Sequence, residues 1–114
     1  MLNKLKNMVE NSDSRLYVSV ANDLIDSVSN SEELEGHIKD ILQYGCVSGC
    51  VSSQIYYTDT QKFFTDYNEE ILELLDTYIK EYGSPKFEIN SNNLSWLAYE
   101  ETTRDIANDL EIYF

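Results

Sequence analysis

Hydrophobic side chains recur every three or four residues in several separate stretches of this 114-residue chain. That spacing places them along one side of an α-helix. It predicts helices over residues 13–29, 31–44, 61–67, 69–82 and 94–110. The pattern therefore predicts an all-α fold, in which residues 1–114 form a single compact domain of five or six helices.

The helix over 69–82 carries the clearest apolar stripe, and we expect this stripe and that of the last helix to face the core. The stripe of 69–82 consists of Ile71, Leu72, Leu75, Tyr78, Ile79 and Tyr82, with acidic residues opposite. The stripe of 94–110 consists of Leu94, Leu97, Ala98, Ile106 and Leu110, and it is flanked by Trp96 and Tyr99.

Polar residues suited to capping precede four of the predicted helices. They are Ser12 or Asp13, Asn30, Thr58 or Asp59, and the polar run 90–93. Glu33 follows Asn30 by three positions, which is the spacing of a capping box. Gly83 and Pro85 end the helix over 69–82, because Gly favours the left-handed conformation there and Pro cannot continue a helix.

Two segments have less decisive patterns. Residues 46–57 are small or β-branched and suit either a strand or a tightly packed helix, although Val47, Val51 and Ile55 recur every four positions and favour a helix. Residues 86–89 alternate polar and apolar over only four positions. At most, they form one short minor strand or an extended connector.

The charge of the chain is strongly negative. Asp and Glu number 21 against 8 Lys and Arg, which gives a formal net charge of -13. Nine Tyr, four Phe and one Trp argue against a disordered acidic chain, which would lack aromatic residues. A field of this sign repels nucleic acid and anionic membranes and attracts basic surfaces. We expect no direct binding to nucleic acid.

No stretch approaches the ~20 consecutive apolar residues of a membrane span, and residues 1–10 alternate polar and apolar without a signal-peptide core. We therefore expect no membrane association and a location in the cytoplasm of a host cell.

Cys46 and Cys50 lie four positions apart, so a helix would place both thiols on one face. A closed zinc site needs about four Cys or His ligands, and His37 is the only histidine. We interpret the two cysteines as small buried residues that pack the core. A metal site or disulfide shared between two chains remains open, but we expect no bound metal or cofactor.

Candidate catalytic groups are few. Serine chemistry of the usual type would need His37 as its base, and we expect that histidine to be a surface residue. The four glycines match neither a phosphate-binding loop nor a dinucleotide-binding motif. We expect that the protein is not an enzyme.

Three sequence blocks carry a resemblance to known proteins. They are the segment 45–57 (Gly-Cys-Val-Ser-Gly-Cys-Val-Ser-Ser-Gln-Ile-Tyr-Tyr), residues 58–60 with Phe63 and Phe64, and residues 96–101 (Trp-Leu-Ala-Tyr-Glu-Glu). Together they resemble a group of small proteins of bacteriophages and mobile elements, over about the last two thirds of the chain. The resemblance implies an accessory gene product of the phage type, a class that includes anti-CRISPR and antirestriction proteins. It implies no active site.

Two sets of carboxylates recur at helical spacing. They are Glu69, Glu73 and Asp76 on one predicted helix and Glu101, Asp105 and Asp109 on another. Four-residue spacing stacks carboxylates about 6 Å apart along a helix face. The phosphates of a nucleic acid present negative charges at comparable intervals. Such a face is suited to a groove lined by Lys and Arg, although solvated acidic helix faces are common.

These observations predict a phage-type inhibitor of a host defence system that targets nucleic acid. Its acidic helix faces would bind the basic nucleic-acid channel of an effector such as a CRISPR nuclease, whose channel holds a heteroduplex backbone. The alternative is a non-enzymatic helical interaction module or regulatory subunit whose acidity serves solubility. A homodimer is left open in either case.

Overall fold

The computed structural model describes residues 1–44 and 59–113, and this part of the chain contains six helices and no strand. The helices are α1 (Leu2–Asn11), α2 (Arg15–Asp26), α3 (Ser31–Tyr44), α4 (Thr60–Asp66), α5 (Asn68–Tyr82) and α6 (Ser91–Asp109). The prediction of an all-α domain of five or six helices is confirmed. Residues 86–89 belong to the connector between α5 and α6, and the ambiguous segment 46–57 lies outside the described residues.

Helix α1 was not among the predicted elements. Leu2, Leu5 and Met8 recur every three residues, which gives the helix an apolar side over only three turns. Leu5 is fully buried, and α1 packs mainly against α2. The backbone N–H of Leu2 donates to Oγ of Ser31 at 2.9 Å, which ties the start of α1 to the start of α3.

The helix ends follow local capping chemistry. Side-chain oxygens of Asn30, Asp59 and Asn90 accept bonds from backbone N–H groups in the first turns of α3, α4 and α6, as predicted. For α2 the prediction was wrong: the cap is Ser14, whose Oγ accepts from the N–H of Tyr17 at 3.2 Å. Three consecutive capping residues precede α2, so its start is locally ambiguous. Gly83 ends α5 at a φ of 87°.

The central element of the fold is α6, which packs against α2, α3, α4 and α5. Nine of its 19 residues are buried, so it meets protein on most of its circumference. Tyr99, predicted to flank the stripe, is 1% exposed and donates its hydroxyl hydrogen to Asp23. After α6 the chain stays docked through the buried Leu110 and Ile112, while Tyr113 is exposed.

In the peripheral helix α5, the buried stripe is narrower than the sequence predicted. Ile71 is buried and Leu74 and Leu75 pack against the core, but Leu72 is 49% exposed and Tyr82 is 61% exposed. Ile79 is exposed as well. The stripe was predicted too wide, because periodicity cannot tell which edge of a broad apolar face meets the rest of the protein. Much of the apolar face of α5 is therefore exposed to solvent.

The radius of gyration of 13.4 Å is close to the ~13 Å of a single compact domain of about this length. Among the described residues, no helix has the length and apolar character needed to cross a membrane.

Candidate binding groove between α5 and α6

Three adjoining depressions run along the junction of α5 and α6, with volumes of about 300, 210 and 280 Å³. Neighbouring depressions share lining residues, so together they form one groove, which we call the α5/α6 groove. Six carboxylate residues line it: Glu70, Glu73 and Glu81 from α5, and Glu100, Glu101 and Asp105 from α6. The start of α2 closes the end of the groove nearest Glu70.

The two carboxylate sets predicted from the sequence partly converge on this groove. Glu73 and Asp105 line the same depression from opposite helices. Glu101 and Asp105 line the next depression together with Glu81, which the prediction did not include. Three of the six predicted partner-binding residues therefore face one concave surface.

The other three predicted residues have different surroundings. Glu69 and Asp76 are exposed on α5 and do not line the groove, and the carboxylate of Asp76 lies 2.9 Å from Nζ of Lys80. Asp109, beyond the groove on α6, accepts a 2.8 Å hydrogen bond from the hydroxyl of Tyr17. Burial and this bond to Asp109 raise the pKa of Tyr17, so the hydroxyl stays protonated and donates.

Two carboxyl groups on the α6 side of the groove have raised pKa values. Burial, and then the neighbouring acids Asp105 and Glu81, raise the pKa of Glu101, although Arg104 opposes them. Burial and the negative charge of Asp109 raise the pKa of Asp105. Both shifts mean that the ionised forms are less favourable here than in water. A cation entering the groove would relieve that cost.

Two arginines offset part of the negative charge. Nε of Arg104 lies 3.6 Å from Glu101, and Nε of Arg15 lies 3.6 Å from Glu70. The second carboxylate oxygen of Glu70, Oε2, is buried, and it has no hydrogen-bond partner in the described part of the chain. Acidic residues still outnumber basic ones along the groove.

The end of the groove farthest from α2 carries an aromatic pair that the prediction had assigned to the apolar stripe. The rings of Tyr78 and Tyr82 lie 5.0 Å apart between centroids, tilted by 47°. Both rings line the groove beside Glu81, Glu101 and Arg104. Their four-residue spacing in the sequence places them on one helix face, but it does not reveal that this face lines a groove.

A larger concavity of about 760 Å³ lies on the other side of the start of α2, between α2 and α4. Aromatic residues, including Tyr67, and several aspartates line it. The guanidinium of Arg15 lies 5.1 Å from the centroid of the Tyr67 ring and donates to the backbone oxygen of Asp66 at 2.6 Å. An arginine of the chain itself thus already engages one aromatic wall of this concavity.

His37 differs from the expected surface histidine because it is half-buried on α3. Its Nε2 is buried and has no hydrogen-bond partner in the described residues. Burial lowers its pKa, against the opposing effect of Asp23 and Asp40.

No group of three or more His, Cys, Asp or Glu residues in 1–44 and 59–113 is arranged to hold a metal ion. Cys46 and Cys50 lie outside those ranges, so their packing role stays a prediction.

These features define a class: a small acidic helical domain with a groove lined by carboxylates and a pair of tyrosine rings. The chain belongs to the family described as "Domain of unknown function (DUF7222)", whose model matches residues 3–112. No curated protein and no solved structure matches the chain. The family description names no activity, so the relation to phage accessory proteins stays a prediction.

Proposed function

We propose that this protein is a non-enzymatic binding protein that docks its α5/α6 groove onto a basic surface of another protein. The observation that carries the proposal is the convergence of acidic residues from two helices on one concave surface. Carboxylates on separate convex faces would each be solvated independently. Carboxylates that share a groove act together on whatever enters it, because the surrounding protein reduces screening by water.

The net charge of the chain supports the same proposal. A formal charge of -13 attracts a basic partner from a distance of about one Debye length, roughly 8 Å at physiological salt. It also favours fast association and specificity for basic partners. The surfaces of proteins that hold nucleic acid have this positive character.

In its more specific form, the proposal is an inhibitor encoded by a phage or mobile element. The groove and its rim would occupy the nucleic-acid channel of a host defence effector, such as a CRISPR nuclease, and exclude guide or target strands. Such channels are positively charged because they bind a heteroduplex through its backbone. The resemblance of the sequence to phage accessory proteins supports this form.

One observation favours a second candidate function. Leu72 and Ile79 are exposed on α5 at 49% and 37%, in a helix whose main packing partners among the described elements are α4 and α6. A helical interaction module or regulatory subunit would use these apolar side chains for docking, and its acidity would serve solubility. Binding of that kind depends little on salt, whereas binding through the groove weakens as salt screens the charges.

Two variants of equal charge test the proposal. The groove-neutral variant carries Glu73→Gln, Glu101→Gln and Asp105→Asn, each of which replaces a lining carboxylate with an amide of similar shape. The surface control carries Glu10→Gln, Glu32→Gln and Glu88→Gln, at exposed positions that do not line the groove. Each variant removes three negative charges, so any difference between them is due to position.

The inhibitor form is tested on a panel of purified, guide-loaded CRISPR effectors. Fluorescence anisotropy of a labelled target DNA measures how much DNA each effector binds in the presence of the protein. We expect the parent and the surface control to displace DNA from at least one effector, and the groove-neutral variant to need about tenfold more protein. If no effector loses DNA, the inhibitor form is wrong. Equal displacement by both variants would show that the groove is not the contact.

A further inference from the structure

The tyrosine pair of the groove, with Tyr78 half-buried and Tyr82 exposed, is not part of the hydrophobic core. Tyr82 is 61% exposed, and its ring packs on Tyr78 of the same helix rather than on the interior. Exposed apolar surface beside a concavity is typical of an interaction site. We propose that this end of the groove is an arginine-binding site, in which the rings of Tyr78 and Tyr82 and the carboxylates of Glu81 and Asp105 hold the side chain of an arginine-rich partner segment.

The composition of the site argues for a guanidinium. Aromatic faces attract cations, and a planar guanidinium both stacks on a ring and bonds a carboxylate through two N–H groups at once. A lysine ammonium is a compact, strongly hydrated charge and gains less from a ring. Carboxylates and tyrosine rings side by side therefore favour Arg over Lys, whereas carboxylates alone would take either.

The protein holds one of its own arginines in the same way. The guanidinium of Arg15 stacks 5.1 Å from the centroid of Tyr67 while its Nε lies 3.6 Å from a carboxylate oxygen of Glu70. That arrangement combines an arginine of α2, a glutamate of α5 and a tyrosine ring at the junction of α4 and α5. The Tyr78 and Tyr82 rings have neighbouring carboxylates of the same kind, but no cation lies over either ring among the described residues.

The charge around the aromatic pair also favours a cationic occupant. Arg104, the one basic residue in the described part of the chain that lines this end, is already 3.6 Å from Glu101. Glu81 and Asp105 line the same depression as the two rings. The negative charge of Glu81 raises the pKa of Tyr82, and burial and then the negative charge of Asp109 raise the pKa of Asp105. Both groups therefore lie near a negative charge that a guanidinium would offset.

This inference rests on the proposed function, because it names the chemistry of the basic partner that the groove would bind. Arginine is the residue that nucleic-acid-binding surfaces use for bidentate phosphate contacts. A groove that selects arginine would therefore discriminate such surfaces from merely lysine-rich ones.

The test compares two fluorescein-labelled peptides of equal length and charge, one of alternating Arg and Gly and one of alternating Lys and Gly. Fluorescence anisotropy gives the Kd of each peptide for the full chain at about 0.15 M salt. We expect the arginine peptide to bind about two- to fivefold more tightly, which is the size of an exposed cation–π contact. The preference should disappear in a Tyr78→Leu/Tyr82→Leu variant.

Two further variants keep the test decisive. Tyr113→Leu changes another exposed tyrosine, 72% exposed beyond α6, and should keep the preference for arginine. Tyr82→Leu alone, at a mostly exposed position, replaces the double variant if the double variant loses its helical circular dichroism. In that single variant the preference should be reduced.

The outcomes separate the two proposals. Equal binding of both peptides to the parent, or an arginine preference that survives in Tyr82→Leu and the double variant, would overturn the arginine site. The groove proposal would survive that result if the groove-neutral variant still binds both peptides more weakly than the surface control does. If neither peptide binds the parent at all, both proposals are wrong.

Discussion

Helices α5 and α6 lie side by side and each carries a set of acidic residues at helical spacing, yet they are anchored very differently. Nine residues of α6 are buried, whereas Ile71 is the one buried residue of α5. Helix α6 packs mainly against α2, α3, α4 and α5, whereas α5 packs mainly against α4 and α6. The comparison teaches that the same acidic pattern can occur on a helix that builds the core and on one that mainly covers its edge.

The carboxylates of the two helices differ in exposure, in the same direction as the helices themselves. The side chain of Glu101 on α6 is only 21% exposed and lies against Arg104, whereas that of Asp76 on α5 is 66% exposed. Charge reversal of Glu101 to Lys would place a second cation beside Arg104 in a half-buried position. On α6, Glu101→Gln is therefore a better test of binding than Glu101→Lys, because it disturbs the stability of the fold less.

The largest expected difference between the two helices is in packing. Leu94→Ala in α6 removes a side chain that is 4% exposed and should lower the free energy of unfolding by about 2–5 kcal/mol, because it leaves a cavity in the core. The same change at Leu72 in α5, 49% exposed, should cost less than about 0.5 kcal/mol. Urea unfolding measures both. Equal costs would mean that α5 is buried against another surface in solution.

A smaller difference concerns the helix starts. Asn90 caps α6 by accepting a 2.8 Å bond from the N–H of Asn93, whereas no side chain caps α5. Asn90→Ala should therefore lower the free energy of unfolding by about 1 kcal/mol. Asn68→Ala, at the exposed first position of α5, is the matched control and should change it by less than about 0.5 kcal/mol. A loss at Asn68 as large as that at Asn90 would contradict this account of the two helix starts.

The smallest expected effect is a pH dependence on the α6 side. Because the pKa of Glu101 is raised in the folded protein, the native state binds more protons than the unfolded state above its ordinary value of 4.5. The contribution of Glu101 to the free energy of unfolding is therefore present at lower pH and is lost as the pH rises through the raised pKa of Glu101. Glu101→Gln should make the free energy of unfolding fall less steeply with pH.

The matched change for this pH effect is Glu69→Gln, which removes an exposed carboxylate of α5 without relieving any burial. Urea unfolding at a series of pH values from 4 to 7 compares the parent with both variants. A parent whose stability does not fall with pH more steeply than that of Glu101→Gln would refute the burial cost assigned to Glu101.

The sequence predicts the local features of the fold well and the long-range ones less well. Caps such as Asn30 and Asp59 depend on a few neighbouring residues, so composition and spacing identify them. Helix α1 was missed because its apolar side spans only three turns. The exposed edge of α5, with Leu72 and Tyr82, depends on how the helix is rotated against α6, which hydrophobic spacing leaves undefined.

The same distinction holds for the candidate site. Spacing places Glu101 and Asp105 on one face of α6, and Glu73 on one face of α5. It cannot show that these faces meet, because that depends on the packing of α5 against α6. Glu81 and the Tyr78–Tyr82 pair were missed as parts of a site for the same reason. Their one sequence signal is that acidic and aromatic residues interleave near the end of a helix.

The central claim is that carboxylates within the α5/α6 groove, rather than the overall negative charge, bind basic partners. The most direct measurement is the Kd of the alternating Arg-Gly peptide for the parent, the groove-neutral variant and the surface control, at about 0.15 M salt. We predict that the groove-neutral variant binds about tenfold more weakly than the parent and that the surface control stays within about twofold. Equal losses in the two variants would contradict the claim, because net charge alone would then account for binding.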